Sequence, residues 1–238
     1  MKKTSRKQLR TLRRRRLALA LVGAMAMPMM PAMAQNIPSA GPAANGTAVI
    51  GSAGNQMTIT QTTKGAIIDW GSFNIGAGYG VTFDQQFGAS SVTLNRVIGF
   101  GYSTSPTQID GALTSNGNVF IINPAGITFG SGAQVNVGGI VASTMNITNA
   151  DFLAGVTSGR FVFQPPTTPG ADVNGVSNEG RIDTTAGGTV GFIGSALYNT
   201  GDITAPGGSV VFGSGNQVTL DFFGDGLTQV TVTGPGLF

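Results

Sequence analysis

Few side chains in this sequence of 238 residues could carry out catalysis. It contains no Cys and no His, which excludes thiol nucleophiles, Ser-His-Asp triads, and zinc or haem sites built on those ligands. Asp183 and Asp202 lie 19 positions apart, and they would form a catalytic pair if a repeating fold stacked them, as a polysaccharide hydrolase needs two carboxylates. Because no Lys or His accompanies them, we predict no catalytic residue, and the enzyme remains the alternative hypothesis.

Metal and sugar sites have equally weak signals. The segment Asp221–Gly226 lacks the D-x-D-x-D-G spacing and the bidentate Glu of a calcium loop, so we interpret it as a turn. We therefore predict no metal and no cofactor. Four aromatic side chains would either stack on a sugar or pack inside the protein. They are Trp70, Tyr79, Tyr102 and Tyr198.

The sequence Asn123-Pro124-Ala125-Gly126 predicts a tight turn. Pro fixes its own φ angle, and Gly126 supplies a φ angle that other residues avoid, directly before an apolar run that starts at Ile127. Loops and turns often carry function, so this turn is also a candidate recognition element. Arg96 is one of only four cations after residue 34, and we expect it to pair with a nearby Asp.

The N-terminus has the pattern of a secretory leader. Nine of the 13 basic residues lie within the first sixteen positions, and the apolar run Leu17–Met27 follows them. Ala32 and Ala34 form an A-x-A cleavage pattern before Gln35. We predict a cleaved, extended signal peptide at residues 1–34. A membrane anchor is disfavoured because the apolar run is about half the ~20 residues of a spanning helix, and a twin-arginine signal is the minor alternative.

The remaining chain, residues 35–238, is acidic. It carries four basic and ten acidic residues, a net charge of −6, so we predict no nucleic-acid partner and no integral membrane segment in the mature chain. An exported chain without Cys has two explanations. Either the chain must stay free of covalent loops to be threaded through a second membrane, or stacked strands already stabilise it enough.

Short apolar or alternating runs, separated by Gly, Asn and Ser, predict an all-β fold. Gly accounts for 38 residues and charged residues for only 10% of the chain. Helical periodicity is weak, and at most one helical turn is expected, at Ala150–Ala154. Eight runs predict strands, namely 57–60, 81–83, 92–94, 119–122, 135–137, 161–163, 210–212 and 218–220.

An internal repeat selects the type of β fold. Asn178-Glu179-Gly180-Arg181-Ile182 is followed 21 positions later by Asn199-Thr200-Gly201-Asp202-Ile203, and Gly187-Gly188-Thr189-Val190 is followed 20 positions later by Gly207-Gly208-Ser209-Val210. A period of about 20 residues is the length of one coil of a parallel β-helix, in which each coil packs only on its neighbours. We expect Asn side chains to stack between coils and Gly to occupy the corners. A β-sandwich is the alternative.

Longer segments resemble a known family. They are 67–76 (IIDWGSFNIG), 92–97 (VTLNRV), 116–130 (NGNVFIINPAGITFG), 132–144 (GAQVNVGGIVAST) and 218–222 (VTLDF). Together they resemble the haemagglutination activity domain, the N-terminal two-partner secretion domain of filamentous-haemagglutinin-like exoproteins. The family motif N-P-N-G-I is N-P-A-G-I here, with Ala125 replacing the second Asn. The motif N-P-N-L has no match, and Leu94-Asn95-Arg96-Val97 stands in that region.

The resemblance implies a right-handed, single-stranded parallel β-helix with an N-terminal cap over residues 35–238. It also implies a secreted, non-enzymatic domain of an adhesin-type protein. The periplasmic repeats of a cognate outer-membrane transporter would recognise this domain as a secretion signal. The protein would pass through the periplasm of a two-membrane bacterium and act outside the cell or at its surface, where a host-cell or glycan receptor is a further expected partner.

The candidate recognition residues follow from the same resemblance. They are Asn95, Arg96, Asn123, Pro124, Gly126 and Ile127. The extended segment Leu227–Val232 is expected to add to a sheet edge of a partner. Two alternative functions remain open: a β-helical carbohydrate-active enzyme that uses Asp183 and Asp202, and direct binding of a glycan.

Overall fold

Short strands wind around one axis in a computed structural model that describes residues 36–99, 105–166, 175–222 and 229–232. Three faces of parallel sheet enclose the axis. The first face contains, in spatial order, β1 (Ser39–Asn45), β4 (Gly65–Ser72), β6 (Val92–Val97), β9 (Asn118–Ile122), β12 (Gly139–Ser143), β16 (Thr189–Ile193) and β19 (Ser209–Gly213).

The other two faces run beside it. The second face contains β2 (Ala48–Ala53), β3 (Gln56–Gln61), β5 (Gly80–Gln85), β8 (Ala112–Ser115), β11 (Gln134–Val137), β15 (Arg181–Thr184) and β18 (Asp202–Thr204). The third face contains β7 (Thr107–Ile109), β10 (Ile127–Phe129), β14 (Val176–Asn178) and β17 (Leu197–Asn199). The chain visits the second, first and third faces in turn and forms a β-solenoid of about six turns, which confirms the predicted parallel β-helix.

Antiparallel strands cover the N-terminal end of the solenoid. Strand β1 pairs antiparallel with β4, and β2 pairs antiparallel with β3. All other pairs between neighbouring strands of the three faces are parallel, as in the pairing of β4 with β6. The N-terminal cap expected from the family resemblance is therefore present.

The coil length varies along the solenoid. Asn178 lies opposite Asn199, which is the spacing of the predicted repeat, and Asn118 lies opposite Gly139 with the same spacing. Gly80 lies opposite Ala112, so an early coil is much longer. The connections from β5 to β6 and from β6 to β7 are longer than those from β8 to β9 and from β9 to β10, so the sequence has no constant period in this part of the chain.

An insertion between β12 and β14 forms an outer layer. It contains α1 (Asn149–Ser158) and β13 (Arg160–Phe163), which pairs with β20 (Val218–Asp221). The helical turn predicted at Ala150–Ala154 lies within α1, but the helix is longer than predicted, with ten residues. Thr148 caps its start by accepting a hydrogen bond from the Asp151 backbone N–H over 3.0 Å. Gly159 ends it with a φ angle of 80°.

The outer layer also contains the last strand, β21 (Gln229–Val232). This strand pairs antiparallel with β20. The segment Leu227–Val232 was predicted to add to a partner's sheet, but its residues Gln229–Val232 already pair within the chain. Leu227 and Thr228 lie outside the described residues.

Two apolar cores result from this arrangement. The inner core fills the solenoid, where Phe129 stacks on Phe192 with ring centroids 6.0 Å apart. Phe212, which is 48% exposed on the last coil, packs edge to face on Phe192 at 5.3 Å. The outer core lies between the first face and the outer layer, where Phe120 packs edge to face on Phe161 at 4.8 Å. Burial of apolar surface on both sides of one sheet accounts for the nearly continuous apolar runs of its strands.

Candidate functional site

The predicted turn at Asn123 is a corner between β9 and β10. The Gly126 backbone N–H donates to the Asn123 carbonyl oxygen over 3.0 Å, as in a β-turn, and Gly126 has a φ angle of 115°. The Asn123 Oδ1 atom accepts from the Ala125 backbone N–H at 3.0 Å. Both features confirm the local conformation expected from the Asn, Pro and Gly residues.

The Asn123 side chain also holds the neighbouring coil. Its Nδ2 atom donates to the Ser105 carbonyl oxygen and to Thr107 Oγ1, each over 2.9 Å. Asn123 is fully buried and Ile127 is 1% exposed, whereas Pro124 is half-buried. In the folded protein, most of this motif therefore faces the interior.

Asn95 and Arg96 lie in the second half of the adjacent strand β6. Asn95 lies opposite Ile121, and Arg96 lies opposite Ile122, the residue before Asn123. The structure thus places the two candidate segments side by side on neighbouring coils. Their recognition by a transporter stays a prediction.

The two residues have different surroundings. Asn95 is fully buried: its Oδ1 atom accepts from the Trp70 indole over 3.1 Å, and its Nδ2 atom donates to the Phe120 carbonyl oxygen over 3.1 Å. Arg96 is partly exposed and lies 3.8 Å from Asp69 Oδ1, which confirms the expected ion pair. Arg96 also donates to Asn149 Oδ1 at the start of α1.

The carboxylates of the enzyme hypothesis do not face each other. Asp183 lies opposite Thr204, and Asp202 lies opposite Arg181, so the two carboxylates are diagonal neighbours with a guanidinium beside both. Arg181 Nε donates to Asp183 Oδ2 over 2.6 Å and lowers the pKa of Asp183 below its usual value, although burial partly opposes this effect. A general acid needs a raised pKa, so this arrangement is that of a surface ion pair.

Of the four aromatic side chains considered for sugar stacking, two pack inside the protein. Trp70 is fully buried and packs edge to face on Phe73 at 5.1 Å, and Tyr79 packs against the inner core. Tyr198 is 64% exposed on the last coil. Tyr102 lies outside the described residues, as do the cleavage residues Ala32, Ala34 and Gln35.

The polar interior of the early coils was not predicted. Gln61 and Gln85 are buried, and Gln85 Nε2 donates to Gln61 Oε1 over 3.0 Å and to Thr93 Oγ1 over 2.7 Å. The Gln85 backbone also exchanges two hydrogen bonds of 2.9 Å with the Asn116 side chain. One feature of the sequence could have indicated this contact. Gln61 and Gln85 each occupy the last position of a strand, and these two strands are neighbours on the second face.

Neither metal ligation nor a membrane helix is found in the described part of the chain. None of its groups of acidic residues could hold a metal ion. Among the described helices, none is long and apolar enough to span a bilayer.

Comparison with known proteins gives a family match and two curated relatives. A family model described as "TPS secretion domain" matches residues 34–233. Two curated proteins named "Heme/hemopexin-binding protein" also match. One, from Haemophilus influenzae strain Rd, is 41% identical over 116 residues, which is 49% of this chain and 12% of the relative. The other, from Haemophilus influenzae, is 43% identical over 93 residues, 39% of this chain and 10% of the relative.

A solved structure matches over more of the fold. The crystal structure of the HMW1 secretion domain from Haemophilus influenzae has a TM-score of 0.71 and 31% sequence identity, and the match covers 83% of this chain and 49% of that chain. This chain therefore spans about an eighth or less of the curated relatives and about half of the solved secretion domain.

Proposed function

Because the chain belongs to the two-partner secretion (TPS) domain family, we propose that it is the secretion signal recognised by a cognate outer-membrane transporter. The family match over residues 34–233 is the observation that carries this proposal. The transporter's periplasmic repeats bind the chain after the leader, residues 1–34, is removed at Ala34. The protein is a secreted exoprotein, and we place its final location outside the cell or at its surface.

The burial of the candidate motif supports recognition before folding. Asn95 and Asn123 are fully buried and Ile127 is nearly so, so a transporter cannot contact their side chains in the finished solenoid. The transporter therefore recognises Asn123, Pro124 and Gly126 while the chain is still extended. After export, the same residues form the corner between β9 and β10, so they act first in recognition and then in folding.

The composition of the chain supports passage in an extended state. It has no Cys, so no disulfide can close a loop before export. Each coil that stacks outside the cell removes apolar surface from water at about 25 cal/mol per Å². Because coils contact mainly their neighbours, folding can proceed in the order in which coils emerge.

A non-enzymatic role is supported by the state of the carboxylates. Arg181 lies beside both Asp183 and Asp202 and stabilises the ionised form of Asp183. The haem and haemopexin binding named for the curated relatives is not extended to this chain, because the matched segment is 12% or less of those proteins.

The experiment is co-expression of the full chain with its transporter in a two-membrane bacterium. We expect the protein in the culture medium only when the transporter carries its periplasmic repeats. A transporter without the repeats is the matched control, with its barrel verified in the outer membrane. Retention of the chain in the periplasm beside an intact transporter, or equal release without the repeats, would overturn the proposal.

A further inference from the structure

A cleft separates the outer layer from one corner of the solenoid. Its volume is about 360 Å³, within the range of roughly 300–1,000 Å³ that is typical of small-molecule sites. Along one flank are residues of the first face and the outer layer, and along the other is the corner where the chain passes from the second face to the first. The apolar flank consists of Val92, Phe120, Val156, Phe161 and Phe222, of which Phe222 is the most exposed and the other four are at most 8% exposed.

The corner flank is built from glycines of successive coils. A Cβ atom on Gly188 would lie 2.1 Å from the Gly138 carbonyl oxygen, and one on Gly208 would lie 1.8 Å from the Gly188 carbonyl oxygen. These positions therefore exclude side chains, and peptide groups form the wall of the cleft. Hydroxyl groups of Ser90, Thr185 and Ser209 complete this flank.

The backbone donors of this wall are already used. The N–H groups of Gly138, Gly187, Gly188 and Gly208 donate to other carbonyl oxygens of the protein at 2.9 to 3.1 Å. An extended peptide needs free donors as well as acceptors along a strand edge, so this wall is a poor partner for one. A ligand with hydroxyl groups of its own suits a flank whose polar side chains are hydroxyls, because each hydroxyl oxygen can accept as well as donate a hydrogen bond.

The absence of charged side chains in the cleft restricts the class of ligand further. None of its lining residues is ionisable, so no group in it balances the charge of an anionic or cationic ligand. An alkyl chain would offer no hydrogen-bond partner to the hydroxyl groups of this flank. A pyranose ring has an apolar C–H face and a rim of hydroxyl groups, which match the two flanks.

We propose that this cleft binds an uncharged pyranose sugar, between the apolar flank at Val156 and Phe222 and the hydroxyl flank at Ser90 and Ser209. This site is separate from the export signal, because none of the candidate recognition residues lines the cleft. Binding would therefore occur in the folded protein outside the cell.

Saturation-transfer NMR on the purified folded protein tests this site. The probes are the neutral disaccharides maltose, lactose and N,N′-diacetylchitobiose, and the charged sugars glucuronic acid and N-acetylneuraminic acid. We expect transfer to at least one neutral disaccharide and none to the charged sugars. Ala186→Trp places a ring in the cleft from an exposed turn position, and it should weaken binding by about tenfold or more.

Ala44→Trp is the matched control, because Ala44 is also exposed but does not line the cleft. It should bind as the unchanged protein does. A double Ser90→Ala and Ser209→Ala variant removes the hydroxyl rim without adding bulk and should also bind more weakly.

Absence of binding to every neutral disaccharide, equal binding of the charged sugars, or full binding by Ala186→Trp would overturn the proposal. Transfer to the hexapeptide Ser-Val-Ser-Val-Ser-Val without transfer to sugars would assign the cleft to peptides and also overturn it. Export yield is measured separately, so failure of this site leaves the secretion proposal unaffected.

Discussion

The Trp70 indole N–H donates to Asn95 Oδ1 over 3.1 Å, from one coil of the solenoid to the next, and both side chains are fully buried. The Asn95 amide then donates to the Phe120 carbonyl oxygen of the following coil. One asparagine thus connects three consecutive coils of the first face and fixes their register.

We expect Asn95→Leu to lower the free energy of unfolding by about 1–3 kcal/mol, because it leaves the Trp70 N–H buried without a partner and removes the Asn95 hydrogen bond to the Phe120 carbonyl oxygen. Denaturant unfolding measures this loss. Asn136→Leu, at an exposed position of β11, is the matched control and should change stability by less than about 0.5 kcal/mol. Equal stability of the two variants would contradict the role of Asn95.

Asn123 and Asn178 are two buried asparagines with the same number of side-chain hydrogen bonds, so variants of the two can separate an effect on export from an effect on stability. The Oδ1 atoms of Asn123 and Asn178 each accept from a backbone N–H two residues ahead, at 3.0 and 3.1 Å, and each amide donates two further bonds. Asn123→Ala and Asn178→Ala should therefore cost a similar amount of stability, about 1–3 kcal/mol for each buried group left without a partner.

Only Asn123→Ala should reduce the secreted yield several-fold beyond what its loss of stability explains. Yield in the medium and melting temperature are measured for both variants. If Asn178→Ala reduces secretion equally, the Asn123 motif acts through folding alone.

The glycine corner gives a prediction about packing. In Gly188→Ala the new Cβ atom would lie 2.1 Å from the Gly138 carbonyl oxygen, so the coils must separate, at a cost of about 1–3 kcal/mol or more. Gly51→Ala is the control, because a Cβ at that position meets nothing within 4 Å. Thermal unfolding compares them, and a Gly188→Ala protein as stable as the control would contradict this close approach.

The Arg181–Asp183 pair predicts a pH dependence. Arg181 lowers the folded-state pKa of Asp183, so the pair stabilises the protein above the unfolded pKa of Asp, about 3.9, and this contribution is lost as the pH falls through the lower folded-state pKa. Asp183→Asn should melt slightly lower than the unchanged protein at neutral pH, and the difference should vanish in acid. The effect is small because the pair is exposed to solvent. A melting difference that persists below the folded pKa would contradict this origin.

Local patterns in the sequence predicted much of the fold. All eight predicted strands are present, because alternation and turn residues act over a few neighbours. Asn178 and Asn199 stack with a hydrogen bond of 2.8 Å, as the repeat indicated. The length of α1 was missed because its stability depends on the Thr148 cap, the Gly159 terminus and packing of Phe152 in the outer core, which periodicity does not register.

Contacts between coils were harder to predict. The spacing of Asp183 and Asp202 is two positions shorter than the register between β15 and β18, so Asp202 faces Arg181 instead. A difference of two residues between the spacing of two side chains and the strand register leaves both side chains on the same face of the sheet, but each then lies opposite a different residue. Gln61 and Gln85 are buried because they bond each other, and polarity alone assigns such residues to the surface.

The pairing of β13 with β20 imposes a timing on assembly. Arg160 lies opposite Asp221, and two further coils of the solenoid form between these positions in the chain. Phe161 therefore lacks its β20 partner until those coils are in place. The solenoid elongates through short-range contacts, whereas the outer sheet closes in one late step that joins distant parts of the chain. Amide protons of β13 should thus gain protection from hydrogen exchange after those of the early coils. Protection of β13 therefore reports the moment at which folding of the domain is complete.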